Sequence, residues 1–274
     1  MVLVGASVIA ATTARKNFVR TFRARGLNAY SLAVGGPFGP YQYLEAYRKY
    51  IIAKGVKNKF VVILLTFPND LDKAFASSNI LKRGGSYRDL FSNSYIHGVI
   101  EEKYLPWTVS IYTKLPSFII QKLNSQPSNK PAKNVNVRFE YGSWTLPTTT
   151  FLRPKEANAW PILKDKVGEL IDLAHQNGTI PIVVYYPLTP VRILPYVQGI
   201  QPLKADLARY YSESVSKIRK FAIDKRAKFL DVTTGLRTAI RTELLFVEPL
   251  EYHLNDRGVE VVSDLLQPYF SKKP

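Results

Sequence analysis

Apolar and polar residues alternate along this chain in two rhythms, and the order of those rhythms predicts its architecture. Met1–Val4 is a short apolar run ending at Gly5-Ala6-Ser7, as a buried strand would. From about Ile9 to Arg25 the spacing turns helical. Phe18, Val19 and Phe22 share one side, and Gly26 supplies the stop. Asn28–Val34 is a second strand, closed by Gly35-Gly36. Tyr41–Ala53 reads as a helix with Leu44, Tyr47, Ile51 and Ile52 together, ended by Gly55. Phe60–Thr66 is the unbroken run FVVILLT, which suits a strand covered on both faces. It leads into Phe67-Pro68-Asn69-Asp70.

The rhythm then breaks. From about Lys73 to Pro161 the chain mixes prolines, serines, asparagines and aromatics, with a polar stretch at Asn124–Asn136 that reads as an exposed loop. This segment is expected to be an insertion or cap on one domain spanning 1–274. After it, Leu163, Val167, Leu170, Ile171 and Ala174 form an apolar helical stripe that Gly178 stops. Ile180–Tyr186 is the fourth strand. A long helix from about Leu203 to Lys225 is expected to bury Leu207, Tyr211, Val215, Ile218 and Ala222. Lys228–Val232 is the fifth strand, and Asp256–Phe270 the last helix, with Val259, Val262, Leu265 and Leu266 inward.

Strands alternating with helices predict βαβ units. The expected fold is α/β and doubly wound, a flavodoxin-like parallel sheet of five strands with helices on both faces. Ligands in such sheets bind beyond the carboxyl ends of the strands. Those ends carry Ser7, Gly36 and Asn69, and a histidine, His253, stands just before the last helix.

Composition narrows the chemistry. There are no cysteines, so disulfides, thiolate metal sites and a cysteine nucleophile are excluded. No metal-ligand spacing, P-loop or dinucleotide fingerprint occurs, so no cofactor is expected. The formal charge is +17, from 38 Lys and Arg against 21 Asp and Glu. That balance favours anionic partners, including an anionic carbohydrate or surface. The basic residues cluster around Arg15–Arg25 and Lys217–Lys228 and are interrupted by apolar positions, which fits solvated helix faces better than a nucleic-acid patch. No apolar run is long enough to span a membrane and no basic leader precedes the first strand, leaving cytoplasmic and extracytoplasmic settings both open.

A serine hydroxyl attacks an acyl carbon only when a base takes its proton, a third group orients that base, and donors meet the developing oxyanion. Ser7 can be the nucleophile and His253 the base, with Glu251 orienting the imidazole. Backbone N–H groups of Ser7 and Gly36 and the side-chain amide of Asn69 can form the oxyanion hole. Each residue has a plainer reading. Ser7 could cap a helix, Gly36 could be a turn glycine, Asn69 could make an Asx turn, and His253 could lie on the surface.

Taken together, these residues resemble the sequence blocks of the SGNH (GDSL-type) hydrolase superfamily. Gly5-Ala6-Ser7 is similar to its Gly-Asp-Ser block, and Val34-Gly35-Gly36-Pro37 to its glycine block. Pro68-Asn69-Asp70 is similar to its asparagine block, and Tyr252-His253-Leu254-Asn255 with Gly258 to its histidine block. The resemblance implies an esterase acting on O-acyl esters, acetyl or short-chain, through Ser7, His253 and Glu251. The alternative it implies is an O-acyltransferase acting on a carbohydrate hydroxyl through an acyl-serine, since Gly36-Pro37-Phe38-Gly39-Pro40-Tyr41 resembles members linked to polysaccharide modification. Ala6, Phe67 and Glu251 depart from the family pattern, and keep a non-catalytic binding module of the same fold open as well.

Overall fold

The computed structural model describes residues 1–5, 17–33, 39–82, 134–153, 159–246 and 253–271. Five parallel strands form one sheet among these residues: β1 (Val2–Gly5), β2 (Tyr30–Ser31), β3 (Phe60–Phe67), β6 (Ile180–Pro187) and β7 (Lys228–Asp231). Their order is β2-β1-β3-β6-β7. Every pairing between them is parallel. This is the flavodoxin-like winding that the alternating pattern predicts. The winding reverses between β1 and β3, whose carboxyl ends therefore flank a crevice.

All eight residues of β3 are buried, as the run FVVILLTF requires of a central strand. Each fully buried Val, Leu, Ile or Phe contributes about 1.5–3 kcal/mol. On one side α1 (Phe18–Ala24) and α8 (Asp256–Ser271) pack together, with α7 (Thr233–Ile240) beside α8. Phe270 of α8 meets Phe22 of α1 edge-on at 5.4 Å and Phe60 of β3 at 5.3 Å. Elsewhere α2 (Pro40–Tyr47, continuing into a wider turn at Arg48–Ile52), α3 (Asn69–Lys82) and α4 (Trp160–Gln176) pack against one another. The long α6 (Gln201–Asp224) packs on β6 and β7, and its Phe221 meets Trp160 of α4 at 6.0 Å.

Several expectations need correction. The irregular region does not begin at Lys73, because α3 runs to Lys82 and packs on α2 and α4. Its mean hydropathy is low and its polar residues outnumber its apolar ones, which hides its helical period in the sequence. Part of the expected loop at 124–136 is strand: β4 (Asn134–Phe139) pairs antiparallel with β5 (Gly142–Pro147). Alternation in Val135, Val137 and Phe139, all buried, is the signal that the polar neighbours obscured. The hairpin docks on the segment after β6 through a Val137–Val197 bridge and a Gln198 N–H bond to the Asn136 carbonyl at 2.8 Å. Phe139, Tyr141 and Trp144 cluster there against Tyr196. In α6 the fully buried tyrosine is Tyr210, while Tyr211 is half-buried and bonds Asp231 instead. The pairing of β2 covers two residues, shorter than Asn28–Val34. Two short helices, α5 (Thr189–Ile193) and α7, have no counterpart in the sequence reading, since five and eight residues give too few turns for a periodic pattern to stand out.

The basic helices carry ion pairs among the described residues. Arg25 pairs with Asp264 at 2.7 Å, Lys225 with Asp172 at 2.6 Å and Lys220 with Asp224 at 3.4 Å. Among the described residues, no helix is long and apolar enough to cross a membrane.

Candidate active site

The carboxyl ends of β1 and β3 lie side by side, with Gly5 in register with Leu64. Ser7 follows Gly5 by two residues. Ser7, Ala6, Gly36 and Glu251 lie outside the described residues. Asn69 and His253 lie within them.

Asn69 opens α3 directly after β3 and a cis Phe67–Pro68 peptide. Pro68 supplies the first carbonyl of the helix, accepting the N–H groups of Leu71 at 2.8 Å and Asp72 at 3.3 Å. The Asn69 side chain is half-buried, and makes no hydrogen bond to any described residue. It is therefore not tied down in an Asx turn. A half-buried amide left open at a strand end retains its donors for something else. Phe67, where the resembled family has glycine, is a core residue: its ring is buried against Tyr185 at 6.4 Å and Trp160 at 6.5 Å.

Asp70 is the residue that the sequence reading overlooked. It is fully buried, yet its carboxylate is well supplied. One oxygen accepts the Thr66 backbone N–H at 2.7 Å and the other the Tyr43 hydroxyl at 2.8 Å. Burial pushes the Asp70 carboxyl up, and nearby Lys73, the Tyr43 hydroxyl and the Thr66 N–H partly oppose that rise. Burial, then the Asp70 charge and its hydrogen bond, hold the Tyr43 phenol well above its ordinary range. An aspartate after a strand-end asparagine reads from sequence as a first-turn acid favoured by the helix dipole. Nothing in the pattern announces its tyrosine partner 27 residues earlier.

His253 is half-buried on a bend before α8, and a compact clasp holds that bend. Leu254 bridges Phe246 antiparallel. The Asn255 N–H donates to the Leu245 carbonyl at 2.9 Å, and its side-chain amide donates to the carbonyls of Leu244 at 2.8 Å and Phe246 at 3.4 Å. The Asn255 Oδ1 accepts the Gly258 N–H at 3.0 Å, capping α8. A Cβ at Gly258 would run into the Leu245 carbonyl oxygen and lie 2.7 Å from Leu254 Cδ2. The His-x-Asn-x-x-Gly spacing thus has a mechanical reason. Asn255 ties the 244–246 segment to the start of α8, and Gly258 leaves room for that segment's backbone.

Arg192 supports the same region, and no sequence signal marks it. It is fully buried and donates to the Tyr186 hydroxyl at 2.7 Å and to Thr189 Oγ1. Its guanidinium lies 3.7 Å from the centre of the Phe246 ring, joining the end of β6 to the clasp before His253. Asp231, at the carboxyl end of β7, is an acid in a comparable position, but its oxygens are taken. Tyr211 donates to it at 2.5 Å, and Thr233 donates through its N–H at 2.9 Å and its hydroxyl at 2.5 Å. Burial, then that hydrogen bond, pushes the Tyr211 phenol up to about 12. His175 is exposed in the last turn of α4 with Nε2 3.1 Å from the Lys225 carbonyl. His97 lies outside the described residues. Among the described residues no cluster of His, Asp and Glu could hold a metal ion.

No protein-family profile matches the chain, and no curated protein matches it in sequence. Solved structures do align with it over nearly its full length. An acetyl xylan esterase is 12% identical over 98% of both chains, with a TM-score of 0.48. An acetylxylan esterase from Geobacillus stearothermophilus is 9% identical over 99% of this chain and 94% of its own, with a TM-score of 0.47. An extracellular lipase from Streptomyces rimosus is 11% identical over 97% of each chain, with a TM-score of 0.45. At such identities and scores these likenesses decide nothing about chemistry, and the α/β winding described above rests on the strand pairings of the chain itself.

Proposed function

We propose that this chain is a serine ester hydrolase of the SGNH kind, acting on O-acyl groups of acetyl or similar size. Ser7 attacks the acyl carbon and His253 takes the hydroxyl proton. Glu251 holds the imidazole in the required tautomer. The N–H groups of Ser7 and Gly36 and the Asn69 amide meet the oxyanion. His253 then returns the proton to the leaving alcohol, and water releases the acyl group by the same steps in reverse.

The observation that carries this reading is Asn69. Its half-buried amide makes no hydrogen bond to a described residue, and it stands at the carboxyl end of β3 where the winding reverses. β1, the other strand of that crevice, leads to Ser7. The clasp before α8 supports it further, because it explains why Asn255 and Gly258 accompany His253.

Turnover of p-nitrophenyl acetate tests the reading. Wild type is expected to turn over, and Ser7→Ala to lose on the order of 10⁴-fold or more. Turnover of Ser7→Ala near wild type would refute it. Adding a sugar acceptor to the same assay shows whether the acyl group goes to water or to a carbohydrate hydroxyl.

A further inference from the structure

The start of α2 and the start of α3 are joined by three contacts. Gly39, just before α2, lies against Lys73, where an added Cβ would come within 2.6 Å of the lysine Cβ. Gln42 returns its side-chain oxygen to the Gly39 N–H at 3.0 Å and extends its amide to Ser77 at 3.4 Å. Tyr43 donates to Asp70 at 2.8 Å, and Asp70 also holds the Thr66 N–H. All of Gln42, Tyr43, Asp70 and Ser77 are buried.

Burying a carboxylate and a phenol together is costly before their bonds are counted, so this arrangement is an expensive way to fix a helix start. A neutral cap would do that task more cheaply. What the arrangement adds is a rigid link between the start of α2 and the turn bearing Asn69, the residue next to Asp70.

We infer that the Tyr43–Asp70 hydrogen bond fixes the turn that presents the Asn69 amide as an oxyanion donor, which makes Tyr43 and Asp70 positioning residues for the hydrolysis proposed above. The inference rests on that proposal. It goes beyond it by assigning a role to two side chains that touch no substrate. An oxyanion donor acts only when held close to its productive position, and a displacement of about 1 Å can cost roughly 10²-fold. The hydroxyl of Tyr43 therefore acts on kcat and only through the Asn69 amide that it aligns.

A double-mutant cycle on p-nitrophenyl acetate hydrolysis tests this. Tyr43→Phe keeps the ring and removes the hydroxyl. It is expected to lower kcat by about tenfold with KM within about twofold. Asn69→Ala alone is expected to lose about 10²–10³. In the Asn69→Ala background, Tyr43→Phe is expected to cost less than about threefold, because the donor it aligns is gone. Tyr47→Phe removes a buried hydroxyl one turn along the same helix that bonds no described residue, and is expected to leave kcat unchanged. Should Tyr43→Phe fail to fold, Asp70→Asn enters the same cycle in its place.

A Tyr43→Phe or Asp70→Asn penalty that is equal in both backgrounds would overturn the inference, as would a kcat that neither variant changes. Absence of turnover, and of a fluorophosphonate adduct, in wild type would instead sink the hydrolase reading beneath it. An adduct on wild-type Ser7 without coupling in the cycle would sink the positioning role alone.

Discussion

Replacing Gly258 with alanine sets two known effects against each other, and their magnitudes predict the sign. Gly258 lies in the first turn of α8 with ordinary negative φ, so alanine fits its backbone. Helix propensity alone would then stabilise Gly258→Ala by about 0.4–1 kcal/mol. Sterics oppose this. The new Cβ would overlap the Leu245 carbonyl oxygen and come within 2.7 Å of Leu254 Cδ2 and 3.1 Å of Leu254 Cβ. The first obstacle is backbone, which cannot rotate away as a side chain can. It is also held, since the Leu245 carbonyl accepts the Asn255 N–H at 2.9 Å. Overpacking of this kind costs typically about 1–3 kcal/mol. Displacing the clasp would also weaken the Asn255 cap, itself worth about 1 kcal/mol. The net expectation is destabilisation by about 1–3 kcal/mol, or a Tm lower by roughly 2–5 °C for a chain of this length. Because His253 sits on the bend that the clasp holds, ester turnover is expected to fall in the same variant. Urea unfolding read by tryptophan fluorescence and circular dichroism gives the first number, and p-nitrophenyl acetate turnover the second. Gly258→Ala with wild-type or greater stability would refute the steric account of the histidine clasp.

Two further perturbations bear on single groups. Glu251→Gln is expected to keep the fold but lower turnover strongly, since an amide can present the wrong polarity to the imidazole, while Glu251→Asp is expected to be milder; wild-type turnover in Glu251→Gln would leave a Ser7–His253 dyad. Burial raises the folded-state Asp70 carboxyl above its unfolded range, so between those two values the native state holds a proton that the unfolded chain has released. Asp70's contribution to stability is therefore largest below the ordinary carboxylate range and is lost as pH rises through the raised folded value. Asp70→Asn is expected to flatten that part of the stability–pH curve measured by urea unfolding, and an unchanged curve would count against the buried carboxyl.

The sheet was legible because its central strands are runs of buried apolar residues that no other element matches. Phe60–Phe67 and Ile180–Pro187 are buried along almost their whole lengths, and β1 and β7 lie where their short runs place them. Helix α3 was hidden because a helix with Asn69, Asp70, Asp72, Lys73, Ser77 and Ser78 shows little apolar period, and because polar residues such as Asp70 and Ser77 are buried by pairing rather than by hydrophobicity. The hairpin was hidden for a related reason, since its exposed alternate positions resemble loop composition. At the candidate site, Asn69 and His253 were legible from type and order alone. Tyr43, Asp70 and Arg192 were not, because their roles come from contacts across the sequence, such as Tyr43 to Asp70 and Arg192 to Phe246. Gly258 and Asn255 fell between, since their spacing was recognisable while its mechanical cause required the Leu244–Phe246 backbone.

The central claim is that Ser7 is an activated nucleophile served by His253. A fluorophosphonate probe reacts with such a serine, and intact-protein and peptide mass spectrometry locate the adduct. The account predicts one adduct, on Ser7, absent in Ser7→Ala and strongly slowed in His253→Ala. No adduct on wild type, an adduct on another residue, or undiminished labelling of His253→Ala would contradict it.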